Sequence, residues 1–392
     1  MNNFIYYSSL SSSVPYYFLL DDIKINDKTC RFYNKNYIHY YPHFLATAGH
    51  NYKNMNFRNE MGLLNTKVLG DSGGHQIKTE RLKWKESLRE KIFLWLENNT
   101  DVAINIDFPP DIKNKNNFDY CLKQSIENFK YFETHQTGKT DFLNVWQLND
   151  EKLSDVWFNK IKHFNFKGYA LAFKNDSNVI NQILYSIAKF KESNFKNIEY
   201  IHYLGLSSIL HFFILNVIQN ELNKTIKHKI VVSTDSSTPA LIVKYGYFIY
   251  DVNWNTFSFN KIKFNNKENI FVDTLIPCKY NCFNCNNVSF SDLKDWNKET
   301  KMILTLHNLN VMTESIKEIQ NILQLPDNVK QELIGNNRYK LQNIIKEIIN
   351  SDEPMSVYNK NKEFCLKLNK EIYKPNNKRI ILKNKNTNLF NF

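Results

Sequence analysis

The sequence predicts an α/β fold of the (β/α)8, or TIM barrel, class, and three observations favour it. Short apolar runs typical of buried strands recur about six times between residues 68 and 235. Amphipathic stretches with helical spacing separate them, so that a strand returns at intervals of roughly 25 to 40 residues. A polar residue closes several of the runs. A doubly wound open sheet is the alternative, but the Gly-rich dinucleotide turn that usually marks it is absent.

The predicted elements follow from these patterns. Residues 1 to about 60 are rich in aromatic and turn-forming residues, and we expect short strands and loops that cover one end of the barrel. The helix that begins near residue 207 is expected to take Ser207 as its N-cap. The predicted strands span residues 68–71, 102–107, 142–147, 168–173, 200–206 and 229–235, and the predicted helices span 80–99, 118–134, 151–164, 178–190 and 207–222.

Composition limits the classes of function. The chain has 392 residues, 42% of them hydrophobic, which is ample for a large core. A net charge of +12 and a pI near 9.1 point to a polyanionic partner, nucleic acid first, although Lys/Asn-rich composition alone also produces such a charge. No uninterrupted run of ~18 apolar residues predicts a membrane span, and residues 1–15 lack the pattern of a secretory signal. We therefore expect a cytoplasmic protein with no membrane partner.

Acidic and amide side chains stand where the predicted strands end. Asp71 opens the segment Asp-Ser-Gly-Gly-His-Gln, and Asp107, Gln147 and Asp235 close three later strands. The carboxyl ends of barrel strands converge on one face, so Asp71 and Asp235 are expected to face each other across it. Two such carboxylates suit a retaining glycosyl transfer, in which one attacks the anomeric carbon and the other moves protons. Asp107 and Gln147 can hydrogen-bond a purine-like edge, and His75 can stack on a flat base.

Half of the cysteines form a cluster. Cys278, Cys282 and Cys285 are followed by His307, which completes a set of four ligands of the kind that closed tetrahedral zinc sites use. Four protein ligands leave no open position, so we expect structural Zn²⁺ that joins a ribbon to a following helix; unliganded thiols are the alternative. The remaining cysteines, Cys30, Cys121 and Cys365, are expected to be ordinary thiols.

The chain is thereby divided into three parts. Residues 1–245 are expected to form the barrel body with its N-terminal cap, and residues 246–325 a β-ribbon and the zinc-binding subdomain. Residues 326–392 are expected to form a C-terminal helical extension with a basic tail. Two amphipathic helices are predicted between 315 and 349, broken near Pro326.

In these motifs the sequence resembles the tRNA-guanine transglycosylase superfamily, zinc-containing barrels that exchange guanine for a 7-deazaguanine base. Residues 71–76 are similar to the family's Asp-Ser-Gly-Gly-Phe/Tyr-Gln motif, and residues 106–110 to its Phe-Asp-Glu-Cys-Pro-Pro element. Residues 145–147 resemble the strand that carries the base-binding glutamine, and residues 235–239 the Asp-x-x-x-Pro element. The cysteine cluster with His-Asn-Leu at 307–309 resembles the zinc site. The resemblance covers about residues 45 to 325.

The resemblance implies a role for each matching residue. Asp235 is the nucleophile and Asp71 the general acid and base, while Asp107 and Gln147 recognise the base. His75 stands where the family stacks an aromatic ring. The remaining residues assigned to substrate binding are Ser72, Gly73, Gln76, Gly168, Ala170, Leu171, Leu204 and Gly205.

Four departures from the tRNA enzymes favour a divergent branch, found in phages and bacterial modification islands, that is thought to act on guanine in DNA. Three residues rather than one separate Cys278 from Cys282, and His75 replaces a phenylalanine or tyrosine. Ala-Leu-Ile at 240–242 replaces Thr-Arg and a basic loop, and the acid after Asp107 is missing. The implied partners are single-stranded or base-flipped DNA and a free 7-deazaguanine base, with a homodimer possible and the host cytoplasm as the location of a phage-encoded protein. Exchange on tRNA and an inactive nucleic-acid-binding subunit are the alternatives.

Overall fold

A computed structural model describes residues 3–9, 23–25, 28–30, 41–110, 115–173, 178–263, 280 and 298–372. Its centre is a closed barrel of eight parallel strands with helices between them, so the predicted fold class is confirmed. Strand order around the barrel is β1-β10-β9-β8-β7-β6-β5-β4. These strands are β1 (Ile5–Ser8), β4 (His43–Thr47), β5 (Lys67–Asp71), β6 (Val102–Ile104), β7 (Asp141–Leu148), β8 (Gly168–Phe173), β9 (Tyr200–Tyr203) and β10 (Val231–Ser236); β2 (Ile23–Ile25) and β3 (Lys28–Cys30) form a separate antiparallel pair.

The N-terminal region contributes more than the cap expected for it. Two of its segments, β1 and β4, are barrel strands, and they supply the two that the sequence pattern did not reveal. β1 pairs with β10 in parallel, with Tyr7 beside Asp235, and meets β4 where Ser8 lies beside Phe44. The N-terminal segment therefore closes the barrel between its last and second strands. Much of the expected cap, residues 10–22 and 31–40, lies outside the described residues.

Helices return each strand to the same direction and bury their apolar faces on the sheet. The last of them in the barrel has Ser208 as its N-cap, whose hydroxyl accepts from the His211 N–H at 3.2 Å, so the expectation of Ser207 was wrong by one residue. Ser207 instead accepts a hydrogen bond from Thr238. The helices are α1 (Ala48–Asn51), α2 (Phe57–Glu60), α3 (Gly74–Lys78), α4 (Glu86–Asn99), α5 (Lys115–His135), α6 (Glu151–Ile161), α7 (Val179–Glu192), α8 (Ile209–Thr225) and α9 (Thr238–Lys244).

The predicted ribbon is present as an antiparallel hairpin of β11 (Tyr247–Asn253) and β12 (Ser258–Lys263). A long helix, α10 (Lys298–Gln324), packs against it. The buried amide of Asn308 joins them, because it accepts from the Ile249 N–H at 2.8 Å and donates to the Pro239 carbonyl at 2.9 Å. The Asn308 side chain thus links α10, the hairpin and the barrel by satisfying one backbone group in each of the last two.

The helical C-terminal region packs on the outside of the barrel. The predicted break at Pro326 is confirmed, and three helices follow it: α11 (Asp327–Ile334), α12 (Asn336–Asn350) and α13 (Pro354–Ile372). The Tyr358 hydroxyl donates to Glu151 at 2.6 Å, and Asn369 accepts from the N–H of Ile180. The basic tail predicted beyond α13 lies outside the described residues. No described helix is long and apolar enough to cross a membrane.

Candidate active site

Four predicted site residues meet at the carboxyl-terminal mouth of the barrel. Asp71 is the last residue of β5, and Asp235 is the penultimate residue of β10. Gln147 is the penultimate residue of β7, and Asp107 lies just past the end of β6. Three carboxylates and an amide from four different strands therefore share one face, as the strand pattern predicts.

Asp71 is held by the turn that follows it. One of its carboxylate oxygens accepts from the Gly73 N–H at 3.1 Å, and the hydroxyl of Thr47, its neighbour on β4, is a second donor. Burial nevertheless raises the pKa of Asp71 above its usual range, and the negative charge of Asp235 raises it further. A carboxyl group in this position is suited to carry a proton, which is what a general acid requires.

The two glycines after Ser72 are required by crowding. Gly73 has φ +97°, and a Cβ on it would lie 3.0 Å from the Cα of Gly49. A Cβ on Gly74 would lie 2.4 Å from a carboxylate oxygen of Asp107. The Ser72 hydroxyl is buried and donates to the Asn105 carbonyl at 3.0 Å. The motif thus ties β5 to β6 and lets the Asp107 carboxylate lie against the backbone.

Asp107 and Gln147 form a buried pair. The amide nitrogen of Gln147 donates to Asp107 at 2.5 Å, and each residue is only 6% exposed. Burial raises the pKa of Asp107 to about 7; the hydrogen bond from Gln147 opposes the shift, and the charge of Asp71 adds to it. The pair offers acceptor and donor groups side by side, which suits the polar edge of a purine.

Asp235 has a partner that the sequence analysis did not assign. His202, fully buried on β9, places Nε2 3.2 Å from a carboxylate oxygen of Asp235, and the same oxygen accepts from the Gly205 N–H at 3.0 Å. An ionised carboxylate only accepts, so Nε2 donates, and Nδ1 then faces the Ser233 hydroxyl at 2.9 Å. Gly205, a predicted site residue with φ +73°, therefore binds the Asp235 carboxylate directly through its backbone N–H.

His75 and Gln76 lie on α3, directly after the glycines. His75 is exposed at the mouth, which leaves its ring accessible for stacking. The amide of Gln76 lies 3.4 Å from the Nε2 of His50, an exposed residue on α1. Two imidazoles therefore flank the entrance beside Asp71.

The residues predicted on β8 and after β9 are not all at the mouth. Gly168 begins β8, so it lies at the opposite end of the barrel from Asp71, where its Cα packs against the Tyr200 carbonyl. Ala170 lies beside His202 in the strand register, and Leu171 is fully buried. Leu204 is partly buried just past β9, and its N–H donates to the Leu171 carbonyl at 3.0 Å. The structure brings Leu204 and Gly205 to the mouth but leaves Gly168 remote.

The predicted metal ligands can be placed only in part. Cys278, Cys282 and Cys285 lie outside the described residues, and within the described ranges no group of three or more candidate ligands forms a metal site. His307 is on α10, as expected, and is fully buried with Nε2 bonded to the Ile249 carbonyl. When the Nε2 of a histidine ring donates a hydrogen bond to a backbone carbonyl, its Nδ1 has the lone pair with which such a ring binds a metal ion.

The chain matches no family model, and no curated protein matches its sequence. The functional argument therefore depends on the residues and geometry of the site.

Proposed function

We propose that the protein is a DNA-guanine transglycosylase that exchanges guanine for a 7-deazaguanine base through a covalent glycosyl-enzyme intermediate. The observation that carries the proposal is the pair of carboxylates at one mouth, Asp71 and Asp235. The charge of Asp235 raises the pKa of Asp71, and of the two only Asp235 accepts a hydrogen bond from a ring N–H. Two carboxyl groups in different environments are what an acid and a nucleophile need.

The first half-reaction breaks the bond between N9 of guanine and C1′ of deoxyribose. A carboxylate oxygen of Asp235 attacks C1′ and forms the glycosyl ester, while the electron pair of the broken bond leaves with guanine. Asp71 supplies the proton that the departing base takes up. The raised pKa of Asp71 supports this role, because burial lets its carboxyl group keep a proton to a higher pH than an ordinary aspartate does.

The second half-reaction reverses these roles. The ionised Asp71 takes the proton from N9 of the incoming 7-deazaguanine base, and N9 attacks C1′ and releases Asp235. Two displacements at one carbon give net retention. Asp107 and Gln147 hold both bases in turn, and their mutual hydrogen bond fixes the position of each polar group before the base enters.

DNA is the proposed substrate on two grounds. The chain carries a net charge of +12, and its mouth-side motifs depart from those of the tRNA enzymes at His75 and after Pro239. A nucleophile within the mouth of a barrel cannot reach C1′ of a nucleotide stacked in a duplex, so the target must be single-stranded or flipped out of the duplex. Exchange on tRNA uses the same groups and is an explicit outcome of the experiment below.

Structural zinc is part of the proposal. His307 fits a ligand role by burial and by the carbonyl that orients its ring, and Cys278, Cys282 and Cys285 would complete the set. The ion would hold the segment after the hairpin to α10 and would take no part in the chemistry. Replacing the three cysteines with serine should lower bound zinc from about one ion per chain, measured by elemental mass spectrometry. Cys121→Ser is the control, and retention of full zinc in the triple variant would contradict the assignment.

The decisive experiment follows radiolabelled guanine into nucleic acid. Duplex DNA, single-stranded DNA and bulk tRNA are offered in parallel to the wild type and to Asp235→Asn. We expect label in DNA only, and a loss of about a thousandfold or more in the variant with binding retained. Asp150→Asn, which replaces an exposed N-cap acid by another good N-cap, is the matched control. Label in tRNA would mean that the substrate is tRNA rather than DNA. Label in neither DNA nor tRNA would favour the alternative of an inactive nucleic-acid-binding subunit.

Trapping the intermediate tests the nucleophile directly. A fluorescent DNA strand incubated without a competing base should give a covalent protein–DNA band on a denaturing gel. Asp235→Asn should give none, whereas Asp150→Asn should match the wild type. A band of equal intensity in Asp235→Asn would show that another residue attacks C1′.

A further inference from the structure

The segment between the Ser-Gly-Gly turn and α4 is a basic, aromatic rim beside the site. Residues 78–85 contain four cationic side chains and one acid, and all four cations are exposed. The segment joins the carboxyl end of β5 to α4, so it lies on the same face of the barrel as Asp71. The four are Lys78, Arg81, Lys83 and Lys85.

Some cations elsewhere on the described surface are paired with acids. Lys167, Lys189, Lys317 and Lys330, on the outer helices and strand edges, each lie in a salt bridge. Within the described parts of the chain, no salt bridge is found for any cation of the rim segment; Lys78 instead donates to the Pro110 carbonyl at 3.4 Å. Four cations against the single acid Glu80 leave this segment with an excess of positive charge, which raises the local potential and attracts a polyanion.

Aromatic rings connect this segment to the base-recognition pair. The ring of Trp84 contacts Phe108 edge to face at 5.1 Å, and Phe108 directly follows Asp107. Phe108 in turn contacts Tyr120, a ring that is 57% exposed, at 6.5 Å. Partly exposed rings interleaved with cations are the combination that single-stranded nucleic acids require, since bases stack on the rings and phosphates contact the cations.

We infer that residues 78–85, with Trp84 and Tyr120, form the surface that holds the single-stranded DNA flanking the target nucleotide. The choice of DNA rests on the proposed function, whereas the surface itself rests on charge, exposure and ring contacts. Its position beside Asp107 places the backbone of the flanking strand where a flipped base can enter the pocket. Residues 78–85 would thus bind the flanking strand independently of its sequence, whereas the target base is recognised within the barrel.

The test compares two matched triple variants by fluorescence anisotropy with a labelled single strand at several salt concentrations. Arg81, Lys83 and Lys85 are changed to Gln in one, and Lys196, Lys227 and Lys229, exposed on the opposite face of the barrel, in the other. We expect the rim variant to bind at least about tenfold more weakly, with a slope of log affinity against log salt reduced by about 2. The opposite-face variant should match the wild type, and equal behaviour of the two variants would overturn the inference.

Trp84→Leu tests the aromatic part. It should weaken binding about tenfold without changing the salt slope, because stacking involves no counterion. Trp254→Leu, at a partly buried ring on the hairpin, is the control. Tighter rim-dependent binding of an RNA strand or of duplex DNA would overturn the assignment to single-stranded DNA.

The outcomes separate this inference from the proposed function. Base exchange without any rim-dependent binding would refute the surface and leave the chemistry standing. Rim-dependent binding in a protein that exchanges no base would refute the chemistry and leave the surface standing.

Discussion

Two aspartates flank the three-residue strand β6 and have opposite surroundings. Asp101, at the amino-terminal floor of the barrel, accepts from Arg58 at 3.0 Å and from the Val68 N–H at 2.8 Å. Asp107, at the carboxyl-terminal mouth, is more deeply buried, yet its hydrogen-bond partner is the neutral amide of Gln147. The floor pairs its acid with a cation in a salt bridge, whereas among the described residues Asp107 has no salt-bridge partner and only the more distant charge of Lys78 acts on it.

This difference separates stability from function along one strand. A paired acid contributes to the folded state, whereas a buried acid without a cation opposes folding and is retained for what it can bind. Asp71, also at the mouth, likewise has its pKa raised by burial. Uncompensated carboxylates therefore mark the candidate site.

Among the changes that test this comparison, the largest effect is expected at Asp235, the mouth carboxylate that accepts a hydrogen bond from a ring N–H. His202→Phe removes the donor to Asp235 and should lower the rate of covalent adduct formation about a hundredfold. His202→Gln, whose amide can place an N–H near the position of Nε2, should remain within about tenfold of the wild type. Single-turnover gel assays measure both rates. Equal losses in the two variants would mean that His202 acts by packing alone.

The next effect is on the free energy of unfolding. It is expected to have opposite signs for substitutions of Asp107 and Asp101, at the two ends of β6. Because the raised pKa lets the folded protein keep a proton on Asp107 between about pH 4 and 7, stability from this group falls as pH rises through that window. Asp107→Asn should therefore raise the free energy of unfolding by about 1–2 kcal/mol at pH 8 and by little near pH 4. Asp101→Asn should lower it by about 1 kcal/mol at both pH values.

Urea unfolding at pH 4.5 and pH 8 measures these changes. A loss of stability in Asp107→Asn at pH 8 would show that Asp107 is a structural acid like Asp101, and the contrast between floor and mouth would fail.

The smallest effect concerns the glycine that lets the backbone meet Asp107. Gly74→Ala puts a methyl group against the carboxylate and should raise the KM for the incoming base about fivefold by displacing Asp107 from Gln147. Gly138→Ala, in open space but at φ +84°, should cost about 1 kcal/mol of stability and leave KM unchanged. Steady-state exchange with graded base concentrations distinguishes them, and an unchanged KM in Gly74→Ala would contradict the crowding argument.

The sequence predicts strands well where an apolar run has clear ends. The predicted strand 168–173 matches β8 to the residue, but 102–107 was predicted where β6 ends at Ile104. Residues after Ile104 leave the ladder, and that departure carries Asp107 towards Gln147. The short strands β1 and β4 stand in an aromatic-rich region without clean alternation, so only the need to close the barrel identifies them.

The sequence predicts which residues of the site lie at strand ends, but it does not predict which of them contact each other. Asp71, Asp107, Gln147 and Asp235 follow from position alone, because parallel strands share a direction. The support that His202 gives to Asp235 depends on the register of β9 against β10, which a single histidine in an apolar run does not reveal. Gly168 shows the converse, since motif similarity assigned it to the pocket and strand direction places it at the other end.

The position of β1 has a consequence for the order in which the candidate site is completed during folding. Tyr7 lies beside Asp235, and the Tyr6 hydroxyl bonds across 230 residues of sequence to Ser236. Contacts so distant in the chain form late and slowly. Strands β5 to β9 can pair with one another in chain order, but Asp235 gains Tyr7 as its neighbour only when β10 pairs with β1. We therefore expect the mouth around Asp235 to be completed in one late step, when β1 pairs with β10.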